Sequence, residues 1–226
     1  MAKSKNRKWI DRHVSDVYVR KSKSDGFRSR ASYKLLEILE SKPLIRRGDT
    51  VVDLGCAPGG WSQVAKAAVG NDGSVIGVDV LEMSPIPQTE FIQGDFSEKQ
   101  VLDLLCSKLE NKSVKLVMSD MAPNITGIRD TDQANFLELL EQVQKFSFEN
   151  LKPGGNLLFK CFEGLGIEDL RSNLKRRFRR IIRTKPAASR KETKEFNICL
   201  LYTSDAPDEG LGVDLGGRRI IKKKDE

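Results

Sequence analysis

The chain lacks any long apolar run. Nowhere among its 226 residues is there a stretch approaching the roughly 20 apolar residues of a spanning helix, and its start, MAKSKNRKWIDRH, has no secretory-signal core. We therefore expect a soluble cytoplasmic protein that does not engage a membrane. Histidine is nearly absent, His13 being the only one, and Cys56, Cys106, Cys161 and Cys199 lie far apart with no CxxC pair. That leaves too few ligands for a zinc site, so we expect no metal and four reduced thiols. Aromatic residues make up only 7% of the chain and form no interleaved motif. A base-stacking platform for single strands is excluded as the main means of substrate capture.

What is present is charge, unevenly placed. Residues 1–30 hold ten Lys/Arg against three acids, and residues 171–194 hold eleven against one, so blocks of +7 and +10 flank a centre that is acidic on balance. Such blocks suit a nucleic-acid backbone, where each neutralised phosphate releases counterions. A solvated lysine-rich face is the plainer alternative. Length favours one catalytic domain with appendages. We place a basic arm at 1–29, the domain at 30–198 and a tail at 199–226. That tail, with CLLYTSDAPDE followed by VDLGGRRIIKKK, resembles translated read-through of a sequencing adapter, and no function is read from it. On this reading the last strand is completed by accidental sequence of suitable β propensity.

The arm reads as partly ordered, with Trp9, Val14, Val17, Tyr18 and Val19 among polar residues, and Arg30 to Glu40 reads as a helix carrying a stripe of Ala31, Leu35, Leu36 and Leu39. From Thr50 apolar strands alternate with amphipathic helices. TVVDLG is followed by a helix from Gly60, then SVIGVD, EFIQG, a helix from Ser97, VKLVMSD, a helix from Thr131 to Leu151, and GNLLFKCF. A further helix from Gly166 to Phe178 precedes two last strands, RRIIRTK and EFNICLLYT. This alternation predicts an α/β doubly wound, mostly parallel seven-stranded sheet covered on both faces, Rossmann-like in form.

The turn Asp53-Leu54-Gly55-Cys56-Ala57-Pro58-Gly59-Gly60-Trp61 follows an apolar strand and precedes a helix, where doubly wound sheets admit a nucleotide to the backbone. It has neither the GK[ST] of a P-loop nor the GxGxxG spacing, and a plain tight turn is the alternative. The next strand ends in Asp79, a carboxylate placed to accept from ribose hydroxyls. Asp95, after the third strand, could meet an adenine amino group, or simply cap the next helix. Together DLGCAPGGWS, GVD and GDF resemble the cofactor site of class I S-adenosylmethionine methyltransferases. The resemblance implies S-adenosyl-L-methionine as the methyl donor.

The fourth strand ends in Ser119-Asp120-Met121-Ala122-Pro123-Asn124, without the Asn/Asp-Pro-Pro-aromatic turn expected for methylation of an exocyclic base nitrogen. Asp120 reads as an orienting or electrostatic carboxylate, and Cys161 lies within a strand rather than at a nucleophile's position. Lys160 closes the fifth strand at the same rim, as a candidate base or as a lysine that merely snorkels to solvent. Any lysine has a reference pKa of about 10.4, so one acting as a base needs surroundings that disfavour its ammonium. Partial burial and a nearby sulfonium act that way, and carboxylates oppose them.

Lys34 in FRSRASYKL, Asp120 in SDMAPN, Lys160 in LLFKCFEG and Glu195 in SRKETKE resemble the Lys-Asp-Lys-Glu tetrad of the FtsJ-type ribosomal RNA 2′-O-methyltransferases, a likeness running from Trp9 to Ile198. It implies that Lys160 accepts the proton, that Asp120 and Glu195 hold its geometry, and that Lys34 steadies the hydroxyl or the adjacent phosphate. It also assigns Gly59, Trp61, Asp79, Asp95 and Asp120 to the cofactor site. The partner implied is ribosomal RNA, at a uridine ribose of the large subunit in a late assembly particle, and we expect a monomer. Transfer RNA as substrate and a noncatalytic assembly factor are the competing readings. Two features depart from the family pattern. Cys56 stands where alanine is expected, and Glu195 lies three residues before the adapter-like segment.

Overall fold

In the computed structural model a seven-stranded sheet runs in the order β3-β2-β1-β4-β5-β7-β6. The structure describes residues 16–110, 112–122, 126–162, 174, 175, 178, 180–189 and 195–201. Its elements are α1 (Val17–Ser24), α2 (Ala31–Ser41), β1 (Thr50–Leu54), α3 (Gly60–Val69), β2 (Ser74–Asp79), β3 (Glu90–Gln93), α4 (Lys99–Leu109), β4 (Val114–Ser119), α5 (Arg129–Asn150), β5 (Leu151–Phe162), β6 (Arg180–Thr184) and β7 (Glu195–Leu201). β1 to β5 pair in parallel, while β7 is antiparallel to both β5 and β6. The expected doubly wound sheet is thus found, with its one reversed strand between β5 and β6.

The sequence dictates two core layers because strand side chains alternate with period two. Val52, Leu54, Val117, Leu157, Phe159 and Ile198 face one way, against Val101 and Leu105 of α4 and Phe136, Leu140 and Val143 of α5. Val51, Leu116, Met118, Leu158 and Cys199 face the other way, against Leu35 and Ile38 of α2 and Trp61, Val64 and Ala65 of α3. Each fully buried Leu or Ile contributes about 1.5–3 kcal/mol of transfer free energy. The same alternation sorts the polar rim. Asp53 falls on the face of Val51, Asp120 on that of Met118, Lys160 on that of Leu158, and Glu195 and Asn197 on that of Cys199. All five therefore face the α2/α3 layer.

The structure differs from the sequence reading in three places. The arm contains a helix, α1, whose first turn is capped by Asp16 accepting from Tyr18 N–H at 3.0 Å. It is pinned to α2 by the Tyr18 and Tyr33 rings, 5.5 Å apart, and by Tyr33 donating to Asp25 at 2.7 Å. Its buried residues are Val19 and Ser22, and this thin stripe on a short segment gave no periodic signal. β5 begins at Leu151, because Val114 pairs with Leu151 before a register shift lets Leu116 pair with Asn156. The turn-like Lys152-Pro153-Gly154-Gly155 is absorbed as an irregularity, with Gly154 at φ +75°. α4 starts at Lys99, because Asp95 first makes a tight side-chain turn, accepting from Ser97 N–H at 2.8 Å. Most of the expected helix from Gly166 to Phe178, half of the first basic block and part of the second lie outside the described residues; Leu174 and Phe178 within that helix stretch are buried. No helix among the described residues is long and apolar enough to cross a membrane.

Candidate active site

Parallel strands present their C-terminal ends together, so the turns after β1, β2, β3 and β4 meet at one rim. The turn after β1 is built on two left-handed glycines, Gly55 at φ +73° and Gly59 at φ +98°. A Cβ on Gly55 would lie 1.9 Å from Met121 Cγ, and one on Gly59 would lie 2.8 Å from Met83 Sδ, so neither position admits a side chain. Gly55 and Cys56 N–H groups both donate to the Val78 carbonyl, at 2.8 and 3.2 Å, which locks the turn onto β2. Asp79 locks it from the other side, its Oδ2 accepting from Ala57 N–H and its Oδ1 from Leu81 N–H, both at 2.8 Å.

Beneath the turn, Asp53 is 1% exposed and accepts from Ser62 Oγ at 2.6 Å. Burial pushes its carboxyl up to about 7; the Ser62 hydrogen bond opposes this, and the charges of Asp120 and Asp79 add to it. Asp95 is exposed, and its hydrogen bond from Ser97 holds its carboxyl below the usual range. Its Oδ1 serves a local turn, and the cap residue of α4 is Glu98 rather than Asp95. Trp61 is 3% exposed and its indole N–H donates to Ala31 O at 2.9 Å. The ring is committed to the core, so what this residue offers the turn is its backbone at the start of α3.

Across the rim the four charged residues converge. Lys34 Nζ lies 3.5 Å from Asp120 Oδ1 and 3.1 Å from Glu195 Oε1, while Lys160 Nζ lies 3.2 Å from Asp120 Oδ1. Lys160 Nζ also donates to the Asp120 carbonyl. The side chains are 8% (Lys34), 20% (Asp120), 11% (Lys160) and 14% (Glu195) exposed, so the pairs interact with little solvent screening. Two cations and two anions form a chain of ion pairs, Lys160–Asp120–Lys34–Glu195. Glu195 reaches it because β7 runs antiparallel to β5 and pairs Glu195 with Phe162 at the rim. Asp120 lies one residue beyond the end of β4 at Ser119, where the chain is leaving the sheet. Cysteine offers no rival nucleophile, since Cys56, Cys161 and Cys199 are buried and burial raises each thiol, Cys199 to about 12.

Three residues that sequence reasoning missed complete the surroundings. Ser62, nine residues after Asp53, is found only by following the inward face of α3. Arg28 Nη1 donates to Ser84 O and Nη2 to Pro85 O, each at 2.6 Å, with a longer bond from Nη1 to Pro58 O at 3.4 Å. It thereby ties the turn after β1 to the loop after β2. Gln63 accepts from Arg28 N–H at 3.1 Å and donates to Gly26 O at 2.9 Å, fixing the α1–α2 linker against α3. Linker residues carry no periodicity, so only the fold brings them to the site.

Comparison with known proteins gives a consistent picture. A model of the FtsJ-like methyltransferase family matches residues 27–202. A protein of Methylobacillus flagellatus named ribosomal RNA large subunit methyltransferase E is 49% identical over 187 residues, 83% of this chain and 90% of its own length. The protein of that name from Bordetella pertussis is 44% identical over 201 residues, 86% of this chain and 96% of its own. Among solved structures, one assigned as a ribosomal RNA methyltransferase from Plasmodium falciparum superposes with a TM-score of 0.70 at 29% identity, covering 78% of this chain and 98% of that one.

Proposed function

This chain belongs to the FtsJ-like methyltransferase family, takes its methyl group from S-adenosylmethionine, and, we propose, transfers it to the 2′-hydroxyl of a uridine ribose in large-subunit ribosomal RNA. The observation that carries the choice of a ribose hydroxyl is the convergence of Lys34, Asp120, Lys160 and Glu195 at the strand ends beside the Gly55–Gly59 turn. A hydroxyl needs a proton acceptor and an orienting environment, and this rim has both.

The residues present fit the donor. Its sulfonium and ammonium are cationic, and the strand ends bring Asp79 and Asp120 to the same rim with Asp53 buried beneath them, while Gly55 and Gly59 give the turn its left-handed backbone. Asp79 would hold the ribose hydroxyls, and Asp95 the adenine amino group. Once bound, the donor supplies a methyl group on a sulfonium leaving group. The chain contributes alignment and proton removal.

In this reading Lys160 Nζ, having first given up its own ammonium proton, accepts the 2′-hydroxyl proton as the methyl group is transferred. Asp120 fixes Lys160 through both its carboxylate and its carbonyl. Glu195 holds Lys34, whose ammonium steadies the ribose oxygen or the adjacent phosphate. The basic blocks at 1–30 and 171–194 hold the RNA backbone. Substrate choice rests on the named relatives together with these blocks, which a small-molecule methyltransferase does not need. We place the reaction on a late assembly particle, in the cytoplasm, with the enzyme acting as a monomer. Methyl-labelled donor incubated in parallel with large-subunit particles, naked ribosomal RNA and transfer RNA tests this. Label in the particle or in ribosomal RNA is expected; label confined to transfer RNA would overturn the substrate.

A further inference from the structure

One buried polar group at the site has no place in the mechanism above. Asn197 is 1% exposed, and among the described residues its carboxamide oxygen is buried without a hydrogen-bond partner. Leaving such an acceptor unpaired carries a desolvation penalty, so its presence calls for an explanation. Its position supplies one. Asn197 is the direct cross-strand partner of Lys160 in the β5–β7 ladder and lies two residues from Glu195 on the same strand. Directly opposed residues on neighbouring strands have Cβ atoms about 4.5–5.5 Å apart and project to the same face. That face is the α2/α3 one, which receives Leu158 and Cys199 from these two strands and Lys34 from α2. Asn197 thus lies buried on the face that the charged residues share, opposite Lys160.

We propose that Asn197 is a positioning residue for the transfer: its carboxamide oxygen is a second neutral acceptor for Lys160 Nζ, and it turns the lone pair of the deprotonated amine towards the substrate hydroxyl. The inference rests on Lys160 being the proton acceptor. A deprotonated amine has two N–H donors and one lone pair, so two fixed acceptors determine where the lone pair points. The Asp120 carbonyl is one of them. The ammonium form also meets the Asp120 carboxylate at 3.2 Å, whose charge holds the proton on nitrogen; once that proton is gone, exchanging this contact for the unpaired Asn197 carboxamide oxygen orients the amine without that penalty. The charged groups facing this position are Lys160 from β5, Lys34 from α2, Asp120 after β4 and Glu195 from β7. Glu37 of α2 is occupied by Ala187 N–H at 2.7 Å, and Arg183 of β6 stacks on Phe196, which faces the opposite layer. The β6 partner of Asn197 is the neutral Thr184.

The test is the pH dependence of kcat with large-subunit particles and labelled S-adenosylmethionine, for the unaltered protein, Asn197→Asp, Asn197→Leu and Lys160→Met. Asn197→Asp is expected to move the rising limb up by about one pH unit and to regain unaltered kcat at high pH. Asn197→Leu is expected to lower kcat roughly tenfold with KM for S-adenosylmethionine unchanged, a split that a structural defect would not produce. An Asn197→Asp profile superimposed on the unaltered one, or full kcat in Asn197→Leu, overturns the proposal while Lys160→Met stays inactive. Should Asn197→Asp fail to fold by circular dichroism, the kcat-against-KM split of Asn197→Leu decides. Activity in Lys160→Met would instead overturn the base assignment itself, and the proposal with it.

Discussion

Replacing Asp53 by Asn should change how stability depends on pH. Asp53 is fully buried, and burial pushes its carboxyl from 3.8 up to about 7, with Asp120 and Asp79 adding to the effect of burial. The folded value lies above the unfolded one, so the native state holds more protons between those limits. The stabilisation is complete below pH 4 and is lost as pH rises through 7. At about 1.4 kcal/mol per unit the whole window is worth about 4 kcal/mol, of which about 2 kcal/mol is lost between pH 5 and pH 7. Asparagine still accepts from the Ser62 hydroxyl but cannot ionise. Urea unfolding at pH 5, 6 and 7 should therefore show the unaltered protein losing about 2 kcal/mol more than Asp53→Asn over that range. The background is quiet because His13 is the only histidine in the chain. Parallel stability curves for the two proteins would refute the reasoning, by showing that Asp53 is ionised throughout.

Two further outcomes follow from the same geometry. Gly55→Ala places a methyl where Met121 stands and strains a backbone at φ +73°, so calorimetry should show S-adenosylmethionine affinity falling about tenfold or more while the chain remains folded. Glu195→Gln takes one of two carboxylates from Lys34, which keeps Asp120 at 3.5 Å; the cost in urea unfolding should be about 1–3 kcal/mol, short of the ~3–5 for a buried charge left with no partner.

The sheet and most of the rim were legible in the sequence because each strand is an apolar run ended by a polar residue, and parallel order brings those ends together. Asp53, Asp79, Asp120 and Lys160 each stand at or beside such an end. What decided the rest was tertiary. α1 buries only Val19 and Ser22, so its helix depends on contacts with Tyr33 and Asp25 of neighbouring segments rather than on its own pattern. The Lys152–Gly155 stretch has turn chemistry, yet pairing with β4 draws it into β5. Arg28 acts through carbonyls more than 50 residues away, which no local pattern encodes. Trp61 was assigned to the cofactor site by family likeness, and its side chain is found packed in the core, where an apolar ring on an inward helix face belongs. Asn197 reads in sequence as one polar residue in an apolar strand; only the antiparallel register sets it against Lys160.

The methyl group is expected on a ribose oxygen. Ribosomal RNA methylated with labelled donor and hydrolysed to completion in alkali measures this directly, because a blocked 2′-hydroxyl cannot attack the neighbouring phosphate. The label should be found in an alkali-resistant dinucleotide containing uridine, with none of it when Lys160 is replaced by Met. Label released quantitatively in mononucleotides, carried on a base, would contradict it.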